Sequence, residues 1–369
     1  MSWSDPDPKS AVRLWIYCPW AGRPTSAESH LAGLAETDLS HRLGQVSDPR
    51  LLRMARLDSD WQGENARCLA ELSHPGVEFR PAQVLGAAGL GDFVGSFSSR
   101  PADETWWLVF TGQQPGELPA GVAAKVAAFT RRNGGRVLFY AYDEASRTMP
   151  GFRALAPHLD VLIHDEQPLE PLGASLLPVD CTTIHRSWVA NIVPFSHPCH
   201  EAPDTSIYFL GSQLGLTPHR ERQIAFLRAR FKDRFVASTD HSVDVTARGG
   251  LNRHQVAFCP EGRKFATPAM GRTHTDRPFW AGCLGLVPVA ENSRTGDRLD
   301  GLARTGLIMR YPHGDLAALA EACERALALP PAARRRIHAH FNTHETIGVV
   351  VAGAIAAAQA QTVAVACDV

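Results

Sequence analysis

Between Val256 and Ser293 the sequence reads VAFCPEGRKFATPAMGRTHTDRPFWAGCLGLVPVAENS, two apolar stretches that enclose Glu261, Arg263, Lys264, Arg272, Thr275, Asp276 and Arg277. Charges at this density do not belong in a core. In a loop that leaves one strand and enters a helix they can hold an anion, because the unpaired N–H groups and dipole of a helix start favour negative charge. A leaving group that departs as an anion needs such positive charge or backbone donors where its charge develops. Arg277, at the helix start of TDRPFWAGCLG, is the first candidate, with Arg263, Lys264 and Arg272 as further cations. Glu291 and Ser293, just after LVPVA, could exchange hydrogen bonds with a hydroxyl, and Glu261 could do the same, cap a helix or pair with Arg263 or Lys264. Gly211 and Ser212, after IYFL, could offer backbone N–H groups to a phosphate.

These residues need strands to position them. Strand-like runs recur through the first half: VRLWIYCPW, GVEFRPA from Gly76, TWWLVFTG, GRVLFYAYDE, VLIHDE and ASLLPVD from Ala174. Segments of helical periodicity separate them, an alternation that predicts parallel strands with crossover helices. In PAGVAAKVAAFTRRNGG, Val122, Val126 and Phe129 repeat at helical spacing, Arg131 and Arg132 complement the helix dipole, and Gly134 offers a left-handed cap. Prolines and polar residues crowd between Pro194 and Ser206, the expected linker. Alternation then restarts with IYFLGS, TPHRERQIAFLRARF, RFVAST, QVAFCPEG, LVPVAEN, LIMRY and DLAALAEACERALAL. Two successive α/β units are the economical architecture, and parallel sheets bind ligands at the carboxyl ends of their strands.

A chain of 369 residues is too long for one comfortable core and suggests two domains. Its 37 basic and 38 acidic side chains give a formal net charge of −1, which removes bulk attraction to nucleic acid. The eight cysteines show no CxxC and sit mostly in apolar runs, which reads as free thiols in a reducing compartment. The N-terminus MSWSDPDPKSAVRLW lacks the features of a signal peptide, so a cytoplasmic location is expected. The apolar stretch TIGVVVAGAIAAAQAQTVAVA is broken by glutamines and reads as a packed helix. GAAGLGDFVG has its glycines in the wrong order for a dinucleotide loop and no clear strand before it. Cys181, His185, His197, Cys199 and His200 fit no zinc spacing.

TDRPFWAGCLGLVPVAENS, followed by TGLIMRYPHGDLAALAEACERAL, resembles the C-terminal domain of GT-B glycosyltransferases, in particular the exostosin-like and spore-protein-like bacterial groups. Arg277, Phe279, Ala281, Gly285 and Val287-Pro288-Val289 fall on that pattern in register. Trp280 departs from it, standing where relatives carry a Glu that bonds the donor ribose, and the resemblance offers Asp276 as a substitute.

The resemblance implies an α/β fold of two Rossmann-like domains facing each other across a cleft. Residues 1–198 would form the acceptor side, 199–342 the nucleotide-sugar side, and 343–369 a helix crossing back to the first domain, with a tail. It implies transfer of a hexosyl or deoxyhexosyl group from a nucleotide sugar to a hydroxyl, with inversion and without a metal or other cofactor. Single displacement needs a general base from the first domain. Asp143 and Glu144 after RVLFYAY, Asp165 and Glu166 after VLIH, and His30 after CPWAGRPTS are the candidates. The acceptor, whether glycan, lipid-linked or protein, stays open, as does association at a membrane surface. Two rivals remain: an epimerase or phosphorylase on the same fold, and an inactive GT-B module that binds or scaffolds.

Overall fold

The computed structural model describes residues 10–17, 65–85, 89–111, 120–141, 150–164, 176–186, 189–210, 217–238, 251–260, 276–292 and 298–367. The chain divides into two compact units, one of Met1–Arg23, Asn65–Ser187 and Gly348–Val369, the other of Pro24–Glu64 and Trp188–Ile347.

The first unit is built on a six-stranded sheet in the order β2-β1-β3-β4-β5-β6. The strands are β1 (Ala11–Tyr17), β2 (Phe79–Leu85), β3 (Glu104–Thr111), β4 (Arg136–Tyr140), β5 (Val161–His164) and β6 (Thr182–His185). Every pairing is parallel. Helices α1 (Gly89–Ser96), α2 (Ala120–Arg132) and α3 (Pro150–Leu155) fall in the connections. Strands β3, β4 and β5 are buried almost throughout, which is why they read as continuous apolar runs. Phe93, Phe97, Trp106, Phe139 and Phe152 form the aromatic part of the core beside them. Gly134 takes the left-handed conformation (φ 74°) that ends α2, as expected.

Charged side chains tie the amino ends of these strands. Arg13 grips Glu104, the first residue of β3, through two hydrogen bonds of 2.8 Å, and Trp106 Nε1 donates to the same carboxylate at 3.0 Å. Asp160, just before β5, accepts from Arg136 Nη1 and from the Val137 amide, both at 2.8 Å.

Two strands lie elsewhere than expected, and proline explains both. GVEFRPA turns at Pro75–Gly76, and β2 starts only at Phe79 and runs through Pro81. A strand bonded to β1 alone tolerates Pro81 because it lies at the sheet edge, and the register slips there, between the Arg13–Arg80 and Trp15–Gln83 pairs. ASLLPVD is no strand over its described part: Pro178 begins a turn closed by the Cys181 amide, and β6 starts at Thr182. A strand does precede GAAGLGDFVG, contrary to expectation, although Gly91 and Gly95 lie inside α1.

The second unit has a five-stranded parallel sheet in the order β11-β10-β9-β7-β8. The strands are β7 (Asp204–Leu210), β8 (Phe235–Ser238), β9 (His254–Cys259), β10 (Val287–Asn292) and β11 (Met309–Pro312). Its helices are α4 (Pro218–Phe231), α5 (Arg277–Cys283), α6 (Arg298–Arg304), α7 (Leu316–Leu327) and α8 (Pro331–His344). The last helix is α9 (Ile347–Cys367), which starts a few residues after Thr343, and PAARRRIHAHFNTH before it forms the separate helix α8, which the sequence reading did not anticipate. Among the described residues no helix is long and apolar enough to cross a membrane.

The proline-rich segment expected as a linker is fastened within the second unit. Asn342 Oδ1 accepts from the Phe195 amide (2.7 Å), His338 Nε2 donates to the His197 carbonyl (2.8 Å), and Arg334 Nη1 donates to the His200 carbonyl (3.1 Å). These three side chains recur every fourth residue, one face of α8. Just upstream, Ala190 bonds to the backbone of Glu345 and Ile347.

The amino-edge clamp gives a pH prediction. Arg13, and then Trp106, hold the Glu104 carboxyl down to about 2. A depressed folded-state pKa stabilises the protein above the unfolded carboxylate range, and that contribution is lost as pH falls through about 2. Glu104→Gln is therefore expected to lower stability at neutral pH and to flatten the loss between about pH 4.5 and 2, read by denaturant unfolding across that range. Packing gives a second: a Cβ on Gly282 of α5 would stand 2.3 Å from Phe341 Cγ of α8. Gly282→Ala should cost about 1–3 kcal/mol in unfolding free energy.

Candidate functional site

Counted within its own unit, the second sheet has the order 5-4-3-1-2, so connections leave β7 and β9 in opposite directions. The carboxyl ends of those two strands form the switch point, where open parallel sheets leave a crevice for ligands. Arg277 stands there. It is the first residue of α5, half-buried, with its guanidinium 5.9 Å from the Phe209 ring centroid of β7. Burial pushes up the thiol of Cys259, the last residue of β9, and the Arg277 charge is the largest opposing influence on it. Asp276 is buried at the N-cap of α5, where its side chain makes no capping bond.

One strand further along, Glu291 near the end of β10 has a fully buried side chain. Its Oε1 lies 2.6 Å from His219 Nε2, 2.9 Å from Gln223 Nε2, 3.1 Å from the Gly314 amide nitrogen and 3.1 Å from His313 Nδ1. Local folding delivers each of these partners. Thr217 caps α4 by accepting from the Arg220 amide, and Pro218 sets the first turn, which fixes His219 and, one turn later, Gln223 on one face. At the other side β11 stops at Pro312, and Gly314 (φ 76°) turns the chain into α7, whose N-cap Asp315 accepts from the Ala318 amide. The His219 and His313 rings stack with centroids 4.4 Å apart. Gln223 Nε2 also donates to the buried Tyr311 hydroxyl at 3.1 Å. Burial, and next the Glu291 charge, push the Tyr311 phenol well above its usual value, so it stays protonated.

Of the residues singled out from sequence, Asp276, Arg277 and Glu291 are described, and all lie at the carboxyl edge of this sheet. Thr275, Gly211, Ser212, Glu261, Arg263, Lys264, Arg272 and Ser293 lie outside the described residues, as do Asp143, Glu144, Asp165, Glu166 and His30. Trp280 is only 3% exposed and packs in the core. Sequence reasoning missed His219, Gln223, Tyr311 and His313. The spacing of His219 and Gln223 on one helical face, and a His directly after LIMRYP, were the available signals. At the carboxyl edge of the first sheet, His164 and His185 pair across β5 and β6 with ring centroids 4.0 Å apart.

No protein-family model matches the sequence, and neither does any curated protein. Solved structures similar to it include the lipopolysaccharide outer core galactosyltransferase WaaB in its apo form, at 8% identity over 89% of this chain and 97% of that one, with a TM-score of 0.35. Another is a mutant O-GlcNAc transferase of Thermobaculum terrenum, at 13% identity over 96% of this chain and 69% of that one, with a TM-score of 0.42. A third is UGT89C1 of Arabidopsis thaliana complexed with UDP-L-rhamnose, at 12% identity over 89% and 93% of the two chains, with a TM-score of 0.36. Superpositions this loose leave the chemistry to be read from the residues of this chain.

Removing the central carboxylate tests how far the cluster depends on it. Glu291→Ala leaves the Gly314 N–H without its acceptor and the Gln223 amide with only the Tyr311 hydroxyl, and should cost at least about 1–3 kcal/mol in unfolding free energy.

Proposed function

We propose that the protein is a GT-B-type glycosyltransferase that moves a sugar from a nucleotide-sugar donor to an acceptor hydroxyl with inversion. The observation that carries this reading is Arg277, a half-buried cation at the carboxyl ends of the two strands where the sheet order reverses. In this reading Arg277 meets the diphosphate and stabilises the charge that develops as it leaves, so the transfer needs no metal. The basic residues Arg263, Lys264 and Arg272, with Thr275 and the Gly211-Ser212 amides, complete the phosphate side. Ser293 and Glu261 serve donor hydroxyls.

The resemblance assigned the ribose contact to position 280, and Trp280 is in the core. Glu291 takes that role here, since its carboxylate is oriented by Gln223 and Gly314 and borders the half-exposed His313. Asp276 is the alternative acceptor for the same hydroxyl. Deprotonation of the acceptor falls to Asp143, Glu144 or His30.

Calorimetry of the full chain against a panel of nucleoside diphosphates and sugar nucleotides tests the reading. One of them is expected to bind, and Arg277→Ala should weaken it by about 10- to 100-fold, the worth of one charge-assisted hydrogen bond. No binding to any member, or an affinity unchanged in Arg277→Ala, would overturn it. Turnover of the donor without an acceptor would favour an epimerase or phosphorylase, and binding with no turnover a binding module.

A further inference from the structure

We propose that His219, His313 and Glu291 form a binding site for a divalent cation of the zinc class. His219 Nε2, His313 Nδ1 and a Glu291 oxygen all lie within 4.8 Å of one another. They come from three separate elements: the first turn of α4, the end of β10 and the turn after β11. Two imidazoles and one carboxylate make a three-residue ligand set that leaves a fourth position to solvent.

Several features favour a cation over hydrogen bonds alone. The single oxygen Oε1 of Glu291 collects four nitrogen neighbours at 2.6–3.1 Å, more donors than its lone pairs accept well. If the two imidazoles instead turn their lone pairs to a shared cation, only Gln223 and the Gly314 amide remain as donors to the carboxylate. Those two then act as the outer hydrogen bonds that orient a ligating carboxylate. Glu291 supplies a fully buried negative charge, and His313, 54% exposed, gives the ion a way in.

Ligands at about 2.0–2.1 Å from a tetrahedral ion sit farther apart than the closest nitrogen–oxygen pair here, so binding requires a small outward shift. That pair is His219 Nε2 and Glu291 Oε1, so the shift falls on the His219 ring in the first turn of α4, whereas the exposed His313, at 3.1 Å, needs less of one. Imidazole ligands select Zn²⁺, Co²⁺ or Ni²⁺ over Mg²⁺. The ion joins α4 to the β10 and β11 ends. It is not required to touch a diphosphate.

Metal-bound His219 must carry its proton on Nδ1, which now lies 3.4 Å from Nη2 of the exposed Arg222. Two donors would then face each other. This contact therefore opposes the ion, and an acceptor at position 222 should favour it.

The test is titration of the chelator-treated full chain with Co²⁺, followed by its visible ligand-field absorption and by calorimetry, with no nucleotide present. One ion per chain is expected, displaced by Zn²⁺ and unaffected by equimolar Mg²⁺. His313→Ala, at the most exposed ligand, should weaken binding by at least about 10- to 100-fold, the loss that even an outer partner of a metal ligand commands. Arg222→Glu should tighten binding several-fold. Absence of Co²⁺ binding, binding unchanged in His313→Ala, or displacement by Mg²⁺ overturns the proposal. Glu291 serves both readings, and because nucleotide is absent from every arm these outcomes are read separately from those of the glycosyl-transfer reading.

Discussion

Every strand pairing in both sheets is parallel, and that single constraint organises the molecule. Parallel neighbours cannot be joined by a tight turn, so each strand is followed by a crossover, and all carboxyl ends gather along one edge. The opposite edge of the first sheet is clamped by charge, with Arg13 on Glu104 and Arg136 on Asp160. In the second unit the carboxyl edge carries Arg277 at the switch point and Glu291 one strand away. The charge clamps thus lie at the amino ends of the first sheet's strands, and the candidate site at the carboxyl ends of the second's.

Glu291 shows what this separation demands. A carboxylate taken out of water is tolerated only when hydrogen-bonded or paired. Here α4 contributes His219 and Gln223, and the turn after β11 contributes His313 and a backbone amide. The cluster therefore depends on the Thr217 cap and on the left-handed Gly314 as much as on the carboxylate itself. Protonated Tyr311, reached through Gln223, extends the network into the core.

Much of this architecture was legible because buried parallel strands leave unbroken apolar runs, as in TWWLVFTG and QVAFCPEG, and helices between them keep their period. The reading failed where proline separates apolarity from strand formation, at Pro178 and around Pro81. It also missed α8, whose Arg- and His-rich sequence carries a hydrophobic face too sparse to stand out: Ile337 and Phe341 are its large apolar buried residues. Glu291 and Arg277 could be found because each directly adjoins a strand or helix boundary visible in the sequence. His219 and His313 carried weaker signals, a helical spacing with Gln223 and a place just after a strand, and nothing local announces that two histidines far apart in the chain will stack over one carboxylate. Trp280, the residue that departs from the pattern the sequence resembles, is buried, so in this chain that position serves packing.

The paired backbone at Ala190 and Thr346 brings together two of the points at which the chain passes between its units. The chain leaves the first unit shortly before this bridge and rejoins it at Gly348, directly after it. The Trp188–Ile347 segment of the second unit is therefore pinned end to end, with the Ala190 amide bonded to the Glu345 carbonyl and the Ile347 amide to the Ala190 carbonyl. The α8 side chains that grip residues 195–200 belong to the same segment, so the second sheet cannot be cut from the proline-rich stretch that precedes it without leaving those side chains unpaired there.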